Sequence, residues 1–406
     1  LLGYTNAMVA QYFGANNPRR CTSVVRQAFL LVGLSYLLAL MLIPAGWALF
    51  RAFGHDPLQE QLETRYFTIL AAGAVLNMLR VIFASFFAGI GRTRIVMTAN
   101  LVAMVVNIIA NYLLIFGKFG FPAMEMDGAA IGTLLGGLTT VALLGAAFFS
   151  PANATEFLTR RMPRLRWPLM KRLLRYGHPA GVEMFLNVAA FNVCVQTFHS
   201  YGRDVAAAVT IVFNWDMVCF IPMLGLGVGV TSLVGRYMGA KNPETAARSA
   251  YSGFLMLLGY LTLLSLVFAF FPRPLVGVFT RGRGELDRVA GLAVPMLRMV
   301  ALYVFFDGAY LVFSGALRGA GDTKWAMWAS IAVHWLLAGS TLFLVRVVHF
   351  SPFQTWVVFV FEVMLLGIVF YARFLGGKWQ VLRIIEEVPL ADETVTFTDA
   401  GEMWVD

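Results

Sequence analysis

Charge is scarce in this sequence: Asp, Glu, Lys and Arg together make up 13% of its 406 residues, about half the share of a soluble domain. Cysteine is scarcer still, at three residues, which excludes a disulfide framework and leaves no Cys/His spacing for a structural metal. Cys21 falls near a helix end, and Cys194 and Cys219 fall inside apolar runs, so all three read as packing residues. No GxxxxGK[ST] stretch occurs, so a P-loop driving this chain with ATP is excluded. Acids are not clustered as a Mg²⁺–diphosphate enzyme needs, and no His/Asp pair marks the edge of an apolar run. A membrane-embedded prenyl or acyl transferase therefore finds no support, and the chain reads as a non-enzyme. A basic n-region with a cleavage site is also missing; the sequence opens at Leu1 in mid-run and reads as part of a longer protein.

What is present is apolar. Hydrophobic residues make up 59% of the chain and mean hydropathy is +0.73. Runs near twenty residues recur, each long enough to cross roughly 30 Å of hydrocarbon. A lipid-facing backbone must bond internally, so such runs are helices; barrel strands would be half as long and would alternate. Breaks at charged residues, Gly and Pro predict a partial span to Phe13, then spans near 24–50, 66–90, 95–116 and 126–149, and later 173–200, 205–235, 249–271, 289–316, 325–348 and 352–374. That gives ten spans and a piece.

The net charge of +9 raises nucleic acid as a partner, but topology accounts for it. One alternate set of loops carries 20 Lys and Arg, seven of them between Arg160 and Arg175, and the other carries 9, leaving Arg80 and Arg298 inside spans. The basic set is assigned to the cytoplasm. No nucleic-acid partner is expected. After Arg383 the chain holds seven acids and no base, which reads as a solvated, disordered cytoplasmic tail.

VAQYFGANNP (Val9–Pro18) returns as VGRYMGAKNP (Val234–Pro243), with six of ten positions identical and a displacement of 225. GIGRTR (Gly89–Arg94) returns as GAGDTK (Gly319–Lys324), displaced by 230. Nearly equal displacements mean one duplicated unit. Both copies lie at cytoplasmic ends, so the units are parallel and related by an axis along the membrane normal. The fold class is thus an all-α polytopic membrane protein of two parallel six-helix bundles. The boundaries are 1–150 for the first bundle, 151–172 for a basic cytoplasmic linker, 173–376 for the second bundle and 377–406 for the acidic tail. On this count the first span and part of the second would precede Leu1.

The same motifs resemble the multidrug and toxic compound extrusion (MATE) family. Further resemblance lies in NIIANYLLIFGKFGFPAMEMDGAAIGT (Asn107–Thr133), RYGHPAGVEMF (Arg175–Phe185) and FSGALRGAGDT (Phe313–Thr323). The resemblance implies a V of two bundles that alternates between inward and outward openings and expels drug-like cations as protons or sodium ions return. It implies a bacterial inner membrane with the C-terminus cytoplasmic, a monomer in the lipid bilayer, a small-molecule substrate and no cofactor beyond the coupling ion. The rival within the wider superfamily is a flippase for a lipid-linked oligosaccharide, which wants basic residues in its cavity.

A carboxylate within a span costs roughly 2.5–3.5 kcal/mol on insertion scales, so each needs a partner, an ion or water. Four qualify: Glu183, Asp216, Asp307 and Glu362. Asp307 precedes Arg318 of the ALRG motif by eleven residues, as does the ion-coupling Asp in the tenth helix of the sodium-coupled branch, which makes it the first candidate for sodium or a proton. Its bland alternative is a pair with Arg298 or a neighbouring helix. That branch places its seventh-helix Glu where Asn187 stands here, so Glu183, one turn earlier on the same face, either substitutes or makes a helix-packing bond. Asp216, beside Asn214 and Trp215 and before Pro222, joins charge to a π face and suits an organic cation. Trp215 is otherwise packing. Asn107 and Asn111 share a face where archaeal relatives pair Asn with Asp; they either contact substrate or bond between helices. Glu362 matches no family motif. Arg80 is expected to pair with an acid, and His334 either titrates or is structural. Pro44, Pro179, Pro222 and Pro295, with Gly225, Gly227 and Gly229, are candidate bends.

Overall fold

A computed structural model describes residues 1–53, 56–160, 164–280 and 283–385. The first half comprises α1 (Thr5–Gly14), α2 (Pro18–Met41), α3 (Ile43–Phe53), α4 (Pro57–Ala72), α5 (Ala74–Gly89), α6 (Thr93–Phe116), α7 (Glu125–Phe148) and the short α8 (Pro151–Phe157). The second comprises α9 (Trp167–His199), α10 (Arg203–Gly239), α11 (Pro243–Phe270), the short α12 (Pro272–Gly277), α13 (Arg283–Ala320), α14 (Thr323–Arg346) and α15 (Pro352–Leu375). Among the described residues nine helical segments are long and apolar enough to cross a bilayer, or ten if the bent pair α4–α5 is one crossing. The chain is a multi-pass membrane protein.

The expected third span, 66–90, is longer than its apolar run and broken. It begins at Pro57 and bends by 42° at Gly73, where the backbone leaves helical geometry. Pro179, Pro222 and Pro295 instead lie inside continuous helices.

Each repeated motif folds the same way twice. In the first, Asn16 and Lys241 both take a left-handed φ of 57°, and Asn17 and Asn242 then cap the next helix with nearly equal dihedrals, −120°/76° and −121°/77°. Their side chains accept from the amides of Arg20 (3.1 Å) and Thr245 (3.0 Å), and a proline follows where no amide is needed. In the second, Gly91 and Gly321 supply φ of +78° and +106°, and the amides of Arg92 and Asp322 close on the carbonyls of Phe87 and Leu317, both at 2.8 Å.

The halves meet through α1 and α10, and the contact is reciprocal. A methyl on Gly14 would lie 1.8 Å from the Arg236 carbonyl oxygen, and one on Gly239 would lie 2.0 Å from that of Gln11. A shift of 225 converts Gln11 into Arg236 and Gly14 into Gly239, so the two contacts exchange under a two-fold axis. Within each half Gly89 and Gly319 lie over the carbonyls of Asn6 and Thr231, again equivalent positions. Such symmetry belongs to parallel repeats, and small residues at these crossings let the backbones approach.

Two apolar cores correspond to the two halves, with a trespass at each boundary. Leu169, Met170 and Leu173, in the first turns of α9, pack into the first half's core, and Phe157 of α8 is buried there too. The described parts of the expected linker, 151–160 and 164–172, are therefore anchored on the first half. Trp379 is fully buried and stacked on Phe374, and Ile384 packs with the first half, so residues 378–385 are part of the body and not a solvated tail. The acidic run from Glu386 lies outside the described residues.

Candidate functional site

Helix α13 runs through the middle of the second half. One face carries Tyr303 and Asp307, a turn apart, and the face of α10 packed against it carries Val212, Asp216, Cys219 and Met223. The carboxylates of Asp216 and Asp307 are within electrostatic contact, with the Tyr303 hydroxyl and the Cys219 thiol beside them. Tyr303 leans on Asp216 without good bonding geometry, since Asp216 Oδ1 and the hydroxyl are each enclosed with no partner. Among the described residues no basic side chain of α13 bonds to either carboxylate. Arg298, the alternative partner for Asp307, donates Nε to the Ala269 carbonyl at 3.3 Å, and Arg318 is engaged elsewhere.

Arg318 belongs to Glu183. Its Nη2 donates to Glu183 Oε1 at 2.6 Å, and the glutamate is 1% exposed. Tyr310 lies in electrostatic contact with both, and its hydroxyl pairs with Ser330 Oγ at 3.1 Å. Asn187 Nδ2 donates to the same Ser330 oxygen at 2.8 Å. His334 Nδ1 sits 2.8 Å from the Ser330 carbonyl. Glu183, Asn187 and His334 thus form one network tying α9, α13 and α14, which adjoins the Asp216/Asp307 pocket through Tyr310, itself in electrostatic contact with Asp307. Glu183 is paired with a guanidinium through Oε1, while its Oε2 is buried with no hydrogen bond.

Asp216 lies off the α10 face that is turned toward the first half. The α10 face turned toward the first half carries Val228, Ser232, Gly235 and Gly239, which meet Asn6, Ala10 and Gln11. Continued at helical spacing, that face comprises Thr210, Asn214, Met217, Ile221 and Leu224, all exposed. Asp216 points away from it, into α13. Trp215 is committed to packing: its indole donates to the Leu275 carbonyl at 3.1 Å and rests edge-on against Phe268 and Phe279.

Asn107 and Asn111 lie between α6 and α7. Asn111 Nδ2 donates to Asn107 Oδ1 at 3.3 Å, and their side chains cover Gly132 and Gly136. Arg80, expected to find an acid, instead donates to Asn77 on its own helix at 2.8 and 3.2 Å. Glu362 accepts from Ser340 Oγ at 2.8 and 3.0 Å in the seam of α14 and α15.

Sequence reasoning missed Tyr303, Tyr310 and Ser330. Tyr303 was within reach, standing four residues before Asp307 and hence on its face; Ser330 had no such cue.

The MatE family model matches residues 5–113 and 179–338 of this chain, well over half of it. The chain is 26% identical over 377 residues to a protein of Thermotoga maritima named "Probable multidrug resistance protein NorM", covering 92% of this chain and 79% of that one. A protein of the same name from Mesorhizobium japonicum is 29% identical, covering 82% and 72%. Crystal structures of MATE in the bent and straight conformations both superpose with a TM-score of 0.81, at 20% and 19% identity, covering 93% of this chain and 84% of theirs. At that identity the structures speak for the fold.

Proposed function

The chain belongs to the MatE family of membrane transporters, and from that premise we propose that it is a multidrug efflux antiporter in which a returning proton or sodium ion is bound at Asp307 and Asp216. The observation that carries this reading is the pocket between α10 and α13, where two half-buried carboxylates lie in electrostatic contact with no basic partner among the described residues. Two negative charges there repel in a medium that screens them poorly. A proton or cation relieves that repulsion, so occupancy of the pocket is coupled to how α10 sits against α13. Because α10 also carries the face turned toward the first half, the pocket's charge state is transmitted to the surface along which substrate moves.

That surface, Thr210, Asn214, Met217, Ile221 and Leu224, is apolar with two neutral polar groups, a wall suited to amphipathic organic molecules. Substrate and ion would then use opposite faces of one helix, and exchange would follow from alternating access between parallel halves. The site is proposed for the inner membrane of a bacterium. For a lipid-linked oligosaccharide, cations should converge on diphosphate, yet Arg80 and Arg298 are both held on local acceptors.

The test is resistance of a pump-deficient host to cationic drugs. Wild-type protein should raise it, and Asp307→Asn, present in the membrane at equal level, should remove the gain. Full resistance from that variant would end the role assigned to Asp307.

A further inference from the structure

Between Glu156 and Glu183 the sequence contains seven lysines and arginines and no acid. The described part of this stretch is held from within. Gln27 Nε2 donates to the Arg164 carbonyl at 2.8 Å, Gln27 Oε1 accepts from the Arg166 amide at 3.1 Å, and Leu169, Met170 and Leu173 are buried in the first half's core. The opposite face is bare. Leu165 and Trp167 are 61% and 62% exposed, and the side chains of Arg164, Arg166 and Lys171 stand exposed around them. None of these three cations has an acidic partner among the described residues.

A rigid backbone that offers an indole and a leucine between unpaired cations is suited to one environment. The apolar groups lie at the boundary of headgroups and acyl chains, and the cations extend along their alkyl stems to phosphate. Trp167 opens a bilayer-crossing helix on the side with the basic excess, so the plane of phosphates passes this face. We propose that it binds anionic phospholipid of the cytoplasmic leaflet, with the phosphate across Arg164, Arg166 and Lys171 and the acyl boundary at Trp167 and Leu165. A soluble acidic partner would meet the same cations but would leave the indole unexplained. Since α9 begins against the first half and continues into the second, bound lipid also sits at the seam between the two.

Native mass spectrometry of the whole chain, titrated with phosphatidylglycerol or phosphatidylcholine, tests this. Each cation contributes about fivefold to the preference for the anionic lipid, on the order of 100-fold for three. The triple variant R164Q/R166Q/K171Q should lose that preference while its thermal unfolding in uncharged detergent is unchanged, because these side chains hold no acidic partner among the described residues. If the triple variant does not fold, Lys171→Gln alone should lose about fivefold. A variant that keeps the wild-type preference overturns the proposal. So does a preference abolished by inorganic phosphate at millimolar concentration, which assigns the cations to a free anion. A preference that emerges only when residues after Ile385 are removed overturns it as well, because the chain's own acidic terminus would then be the occupant.

Discussion

Adding one methyl at Gly14 tests the geometry by which the halves close. In Gly14→Ala the new Cβ falls 1.8 Å from the Arg236 carbonyl oxygen and 2.7 Å from its carbon, both backbone atoms that no rotamer change can clear. An ordinary carbon–oxygen contact is about 3.3 Å, so α1 and α10 must part by about 1.5 Å at this crossing. Overpacking of a close interface costs about 1–3 kcal/mol. Taking about 2 kcal/mol, the closed arrangement becomes about 30-fold less favoured. The two-fold relation sharpens the expectation: Gly239→Ala puts a methyl 2.0 Å from the Gln11 carbonyl and should cost the same within about 0.5 kcal/mol. The double variant should cost clearly less than the sum, because the first separation relieves the second clash. The assay is thiol labelling of Ser232→Cys, a buried position that bonds Asn6 across the seam. The three native cysteines are buried and serve as background. Labelling should accelerate about 30-fold in either single variant, whereas Gly3→Ala and Gly225→Ala, whose methyls meet nothing within 4 Å, should not change it. Unchanged labelling in Gly14→Ala, or strict additivity in the double variant, would refute the reciprocal crossing.

Three further outcomes are expected. Glu183→Ala should lower stability by about 3 kcal/mol, near the low end for a broken buried pair because the Arg318 side chain keeps 31% of its surface exposed; the apolar double variant Glu183→Leu/Arg318→Met should recover most of it in thermal unfolding. Gly91→Ala should cost about 1 kcal/mol through its φ of +78° alone, whereas Gly321→Ala should cost more, its methyl also meeting Ile384 Cγ1 at 2.6 Å; equal melting shifts would contradict the packing of Ile384. Trp379→Ala, which empties a fully buried site and removes the indole bond to the Phe374 carbonyl at 2.8 Å, should lose about 3–5 kcal/mol, while a change below about 1 kcal/mol in the same assay would return this segment to solvent.

By itself the sequence determined the solvent, the helical class and the duplication, because these rest on quantities summed along the chain: apolar length against bilayer thickness, and two motifs at one displacement. The turns of those motifs are local as well, since Asn17, Asn242, Gly91 and Gly321 act on their immediate neighbours. Only the tertiary structure decided which buried groups meet. Asp307 and Arg318 stand on one helix at a family spacing, yet Arg318 crosses to Glu183 and Asp307 faces Asp216, which lies on α10 and not on the same helix. Trp215 and Asp216 are adjacent in sequence and part company because neighbouring helix positions point about 100° apart, one toward Leu275 and the other toward Tyr303. Helical rotation is set by how whole faces pack, which no single polar residue announces. For the same reason Trp379 and Ile384 go by sequence with the acidic residues that follow them, yet each is buried in one of the two cores.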